Sequence, residues 1–207
     1  MTDRELIELI AGGERPGVEF KNARGRKEKS FAEVVRAVLG LANRRNGGIV
    51  IIGVDDNGQA PGLTADQAGS WANPDHVRQA IAPFADPYVY VHVELVTIGI
   101  AGPFKDRVFA VVRVEEFEEV PVLCGKQALD GSGNVVLQPG ACYVRPNHMP
   151  ATTSVANHAQ FRALLELAIE KGVRKFLRTA KAVGLPASTA APDDTELFAR
   201  QLKTFDE

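Results

Sequence analysis

Only two cysteines, Cys124 and Cys142, occur in 207 residues, too few for the disulfide framework of a secreted scaffold. They can pair across a hairpin or stay as partly buried thiols, and an intracellular setting favours the thiols. No apolar run is long enough to cross a bilayer. Asp3, Arg4 and Glu5 stand where a signal peptide would have its apolar core. A soluble cytoplasmic protein is expected, with no membrane partner. Excess positive charge is missing too: 24 Lys and Arg face 26 Asp and Glu, for a formal net charge of −2. That excludes a general basic coat, so any nucleic-acid surface has to be local. The sequence has no GxxxxGK[ST], HExxH, paired CxxC or GxSxG. No ATP site is evident, and His76, His92, His148 and His158 lack zinc-site spacing.

At 45% hydrophobic residues the chain can bury a core as one domain with an appendage. Residues 30–58 organise it. Ser30 and Glu33 have capping-box spacing. Phe31, Val34, Val35, Val38, Leu39 and Ala42 then recur with helical period, with Glu33, Arg36, Gly40 and Arg44 on the other side. Asn46, Gly47 and Gly48 stop that helix. Ile49 to Ile52 is a continuous β-branched run, expected as a strand covered on both faces, and Asp55, Asp56, Asn57 and Gly58 close it in a tight turn.

Before this stretch, a helix is expected over 2–11 and a strand over 18–21, with Val18 and Phe20 on one face and Glu19 and Lys21 on the other. After it, 64–72 reads as irregular or helical. Asn73 and Pro74 cap and open a helix running to about Phe84. Strands at 88–98 and 107–114 form a hairpin. Pro121 makes the following segment an edge strand, and residues 130–134 loop between two short strands, the second carrying 141–145. A helical period covers 155–183, with Phe161, Leu164, Leu165, Ala168 and Ile169 as its packed stripe and Gly172 as a candidate break. Residues 184–192 read as a linker, and Leu197, Phe198, Leu202 and Phe205 mark a last amphipathic helix. The expected organisation is a main domain over 1–152, a helical extension over 153–183, and a linker with a short helix over 184–207.

Two side-chain sets carry candidate chemistry. If the strands holding Glu19 and preceding Asp55 are neighbours, Glu14, Glu19 and Asp55 converge near one sheet edge. Three oxygen ligands suit a hard divalent cation such as Mg²⁺ or Mn²⁺ acting on a phosphodiester. The same acids are also ordinary strand and turn residues, and Asp56 rather than Asp55 can be the inward carboxylate. The second set is basic: Lys21, Arg24, Arg26, Lys27 and Lys29 in one run, with Arg44 and Arg45 before the glycine turn and Arg145 later. Such residues neutralise phosphates and release counterions. The basic run leaves the strand of Glu19, which makes the two sets neighbours.

These residues resemble a known family. Glu14, then Glu19-Phe20-Lys21, a basic loop, Leu41-Ala42-Asn43, Gly47-Gly48, Gly53-Val54-Asp55 and Gly58 resemble the Schlafen-type Alba-like (AlbA_2) domain, as do Pro121-Val122 and Tyr143-Val144-Arg145. The likeness covers roughly residues 3–150. It implies an α+β fold with a small mixed β-sheet flanked by helices, here with a C-terminal helical extension. It also implies nucleic-acid binding, to RNA or DNA, and a homodimer. Animal members include metal-dependent endoribonucleases, whose three acids look like Glu14, Glu19 and Asp55. Two departures stand out: Arg44-Arg45-Asn46 puts three residues where the family usually has two, and the zinc-binding Cys/His cluster of some animal members is missing. The alternatives are a non-catalytic DNA-binding regulator, in which the acids order the basic loop by ion pairing, and a dimeric interaction protein.

Overall fold

The β-branched run before Asp55 forms the middle of the structure. The computed structural model describes residues 1–22, 31–55, 57–130, 132–146 and 150–184. Ser30, expected as a cap, the basic Arg24, Arg26, Lys27 and Lys29, Asp56, and the linker and last helix expected after residue 184 lie outside the described residues. The chain divides into two compact units, Met1–Ala168 and Ile169–Glu207.

In the first unit, helix α1 (Asp3–Ala11) starts from a capping box between Thr2 and Glu5 and leads to strand β1 (Val18–Lys21). Helix α2 (Phe31–Ala42) follows, then strand β2 (Gly48–Ile52). Short helices α3 (Ala65–Trp71) and α4 (Pro74–Ile81) come next. Asn73 caps α4 through the amides of Asp75 and His76, with Pro74 opening it, and a 3-10 turn over Ala82–Phe84 extends it. The remaining strands are β3 (Ala85–Asp86), β4 (Val91–Thr97), β5 (Val108–Val114), β6 (Leu123–Cys124), β7 (Ala128–Leu129), β8 (Val135–Leu137), β9 (Tyr143–Val144) and β10 (Thr153–Ser154). Helix α5 spans His158–Ala182.

The main sheet has the order β1-β2-β5-β4. Strand β1 runs parallel to β2, setting Glu19 opposite Val50, while β5 is antiparallel to both β2 and β4. The fold is α+β with a small mixed sheet, as expected. Alternation along the strands decides which helix covers which face. Val18, Phe20, Ile51 and Val111 pack with Leu6 and Ile10 of α1. Val50, Ile52, Val112 and Val91 pack on the opposite face against α2, α4 and the small strands that follow. Glu19 and Lys21 therefore belong to the α2 side.

Several expectations need correction. Gly40 is not on a polar face: it is buried, and a Cβ there would stand 2.5 Å from Thr152 Cγ2. The strand after Pro121 is not an open edge, because β6 pairs with β3 and Leu123 bridges to Cys142. The strand over 135–137 ends before 141–145, where only Tyr143–Val144 is a strand, β9. Gly172 does not split α5; one glycine costs a helix about 1 kcal/mol, too little to end a long one. Of the stripe expected to pack, Leu164 is buried, but Phe161, Leu165 and Ile169 are 50%, 42% and 64% exposed; Leu167, outside that stripe, is buried instead.

Candidate functional site

The loop between α2 and β2 positions most of the expected site. It turns at Asn46 (φ 65°) and Gly47 (φ 61°). A side chain on Gly47 would run into the Val114 carbonyl, so the glycine is needed for both its backbone angle and its space. Just before the turn, Asn43 is buried and saturated. Its Oδ1 accepts from the Val122 amide at 2.7 Å, and its Nδ2 donates to the carbonyls of Val122 and Tyr143, both at 2.8 Å. That one amide ties the end of α2 to β6 and β9.

Because β9 is anchored there, Arg145 enters the interior beside β1. Its side chain is fully buried. One guanidinium nitrogen donates to Glu19, and another donates to the Val18 carbonyl at 3.1 Å and the Arg15 carbonyl at 3.3 Å. Glu19, 6% exposed, also receives Lys21 Nζ. Two cations thus hold one carboxylate, which suits a buried charge that would otherwise be strongly disfavoured.

The other expected acids sit differently. Glu14 is exposed and its Oε1 accepts from the Phe20 amide at 2.8 Å. Asp55, half-buried past the end of β2, orders its own turn: Oδ1 accepts from the amides of Asn57 at 2.9 Å and Gln59 at 2.8 Å. The parallel strands set Glu19 opposite Val50, whereas Asp55 lies three residues past the end of β2. Among the described residues no three His, Cys, Asp or Glu side chains form a group that could hold a metal ion. As placed, Glu14, Glu19 and Asp55 do not fit a divalent cation together.

Instead, Glu19 and Lys21 line a polar cavity of about 310 Å³ with Glu33, Arg36, Asp130 and Asn134. The sequence reading missed the last four as site residues. Asp130 repeats the Asp55 arrangement, its Oδ1 accepting from the amides two and four residues on, Ser132 and Asn134. Hydrogen bonds from the Asn134 side chain and amide hold its carboxyl below the usual range. The parallel between DDNGQ and DGSGN was a readable signal. What could not be read was that the second turn comes to Glu19.

The basic residues divide by exposure. Lys21 is engaged by Glu19, and Arg145 is wholly inside. Arg44 and Arg45 lie at the surface turn, and Arg44 Nη1 donates to the carbonyls of Arg45 at 2.9 Å and Gly47 at 3.2 Å. Burial lowers the Arg44 pKa, and the nearby Arg145 charge lowers it further. Among the described residues, Arg44 forms no ion pair with a carboxylate.

The family model described as Schlafen, AlbA_2 matches residues 14–150. This chain belongs to the Schlafen AlbA_2 family. The match takes in Glu14, Glu19, Asp55, the arginine turn and Arg145, and membership suggests a nucleic-acid-related function. No curated protein matches the chain. Among solved structures, the DIP2311 protein from Corynebacterium diphtheriae is similar at 17% identity and a TM-score of 0.46, with 77% of this chain covered. The chain spans only 32% of that protein's length. Among the described residues, no helix is long and apolar enough to cross a membrane.

Proposed function

We propose that this AlbA_2 protein binds nucleic acid, RNA or DNA, through a local basic surface centred on Arg44 and Arg45. One observation carries the reading: Arg44 is a partly buried guanidinium, next to a second buried arginine, with no carboxylate against it among the described residues. In a chain of net charge −2, such a spot attracts an external anion, and a phosphodiester meets that requirement. Arg145 then acts from inside, fixing Glu19 and β1 and adding to the local field, rather than touching the ligand. Arg24, Arg26, Lys27 and Lys29, which lie outside the described residues, add positive charge in sequence after Lys21, while Lys21 itself is engaged by Glu19.

A Mg²⁺- or Mn²⁺-dependent endoribonuclease on Glu14, Glu19 and Asp55 is the second reading. The family resemblance favours it; the placement of the three carboxylates does not, so no step is routed through a metal. The deciding experiment follows labelled hairpin RNA and single-stranded DNA by fluorescence anisotropy and on gels, with Mg²⁺, Mn²⁺ or chelator. Binding that weakens with rising salt and is lost in Arg45→Glu, without cleavage, supports the proposal. Metal-dependent cuts abolished by Glu19→Gln in a folded protein would replace it with the nuclease reading. Wild-type protein that binds neither probe at about 50 mM salt, where electrostatic binding is strong, sinks both.

A further inference from the structure

Beside the arginine turn, the first turns of α5 close off a cavity of about 500 Å³, bounded by Arg44, Arg45, Asn157, Gln160, Ala163 and Leu164. We propose that this cavity receives one unpaired nucleotide of a single strand, its phosphate against Arg44 and Arg45 and its base against the apolar wall. The proposal rests on the nucleic-acid reading above and adds the strand state that the protein selects.

Three observations carry it. The first is volume. A phosphate alone needs only a shallow anion cradle, whereas 500 Å³ falls within the range of small-molecule sites, roughly 300–1,000 Å³.

The second is the polar lining, which is rich in donors. Gln160 Oε1 is occupied by the Ala156 amide at 2.9 Å, and Asn157 Oδ1 by the Gln160 amide, also at 2.9 Å. Both side-chain NH₂ groups make no hydrogen bond among the described residues, so they stand beside the two guanidinium groups as donors. Glu166, also on the cavity wall, is paired with Arg162 at 2.9 Å. A donor-rich wall with its one acid already paired selects an anion bearing further acceptors, as a nucleotide does through its phosphate and base edge.

The third is the apolar part of the lining. Val144, Leu164 and Leu167 are 7%, 5% and 7% exposed and belong to the main core, so they offer a rigid apolar surface rather than a mobile one. A duplex keeps its bases stacked and presents backbone and base edges, not base faces, to such a surface; an unpaired base can leave the strand and pack there.

The test uses the full-length protein and a fluorescent twelve-nucleotide single strand, uridine or thymidine only, beside a duplex of the same length. Ala163→Trp fills the cavity from an exposed helix position. Gln160→Glu keeps the oxygen that accepts from Ala156 but replaces the donor with a negative charge. Thermal melting confirms that each variant is folded. Both substitutions are expected to weaken single-strand binding about tenfold (about 1.4 kcal/mol); Ala163→Trp, which adds no charge beside the arginines, is expected to leave duplex binding within about twofold. In wild-type protein, uridine monophosphate is expected to shift the amide resonances of Gln160 and Arg44 in a nuclear magnetic resonance titration, further than inorganic phosphate or uridine does. Variants that bind single strands as wild type does overturn the pocket and leave the nucleic-acid reading intact. Equal losses on single strand and duplex in Ala163→Trp overturn the selectivity for unpaired bases. Resonances that respond equally to inorganic phosphate and the monophosphate reduce the site to a simple anion cradle. A wild-type protein that binds no nucleic acid removes both the parent reading and this one.

Discussion

Glu19 and Asp55 were expected to share one task, and they sit on and just beyond neighbouring strands. Glu19 is inside, 6% exposed, between the Arg145 guanidinium and Lys21. Asp55 is half in solvent, and one of its oxygens receives two amides of its own turn. The surroundings give one carboxylate a long-range partner and the other a local one. A buried carboxylate without cations would lose several kcal/mol of hydration with little in return; a turn aspartate risks only a hydrogen bond or two. Two acids that look alike in sequence therefore carry very different structural weight.

The largest effect expected is on the Glu19 side. Arg145→Met leaves Glu19 with Lys21 alone and removes the donor to the Val18 and Arg15 carbonyls, at a cost of about 3–5 kcal/mol in urea unfolding. Adding Glu19→Leu should recover a large share of that loss, because the stranded charge disappears with it. A single variant as stable as wild type would break the comparison. Asn43→Ala comes next. It orphans the Val122 amide and the Val122 and Tyr143 carbonyls at once, and about 2–4 kcal/mol is expected from unfolding curves. Asp55→Ala should cost only about 1 kcal/mol, measured in the same way, and leave nucleic-acid affinity unchanged. A loss as large as that of Arg145→Met would mean Asp55 has a partner beyond its turn.

What the sequence made legible follows the same division between local and distant. Helices α1, α2 and α4, the buried β2 and the β4–β5 hairpin were readable because each is specified within its own stretch: Asn73 and Pro74 for α4, the β-branched run for β2, alternation for β4 and β5. The adjacency of β1 and β2 stood only as a condition in the sequence, and the structure supplies it as a parallel pair. Arg145 and Glu19 are 126 residues apart in sequence, and no spacing rule links them. Asp130 reaches the Glu19 cavity through a hairpin whose own direction is set by the packing of Leu137 and Tyr143 in the core. Periodicity likewise identified an apolar stripe on α5 but not which residues join the core: Leu164 and Leu167 do, while Phe161 and Leu165 face solvent. A pattern in one element says which side is apolar, and only the partner element says which part of that side is covered.

The smallest effect expected at neutral pH concerns Cys142, which lies on the buried side of the comparison. Its thiol is 3.5 Å from Asn43 Nδ2, and burial pushes its pKa up to about 11 from 9.0. Burial disfavours the thiolate, so the native thiol stays protonated while the unfolded one ionises as pH climbs past 9. The corresponding stability is fully present below that point and is lost between pH 9 and 11. At pH 8 stability is therefore untouched, but native Cys142 should react with iodoacetamide roughly a hundredfold more slowly than a free thiol through its smaller thiolate fraction alone. Peptide mass spectrometry reads that rate directly. It also sharpens the contrast between the two acids. Arg145→Met, which loosens β9 next to Cys142, should speed the labelling, whereas Asp55→Ala should leave it as in wild type. Equal acceleration in both variants would mean the two ends of the sheet open together, and the division between a buried and a local carboxylate would not describe how this protein moves.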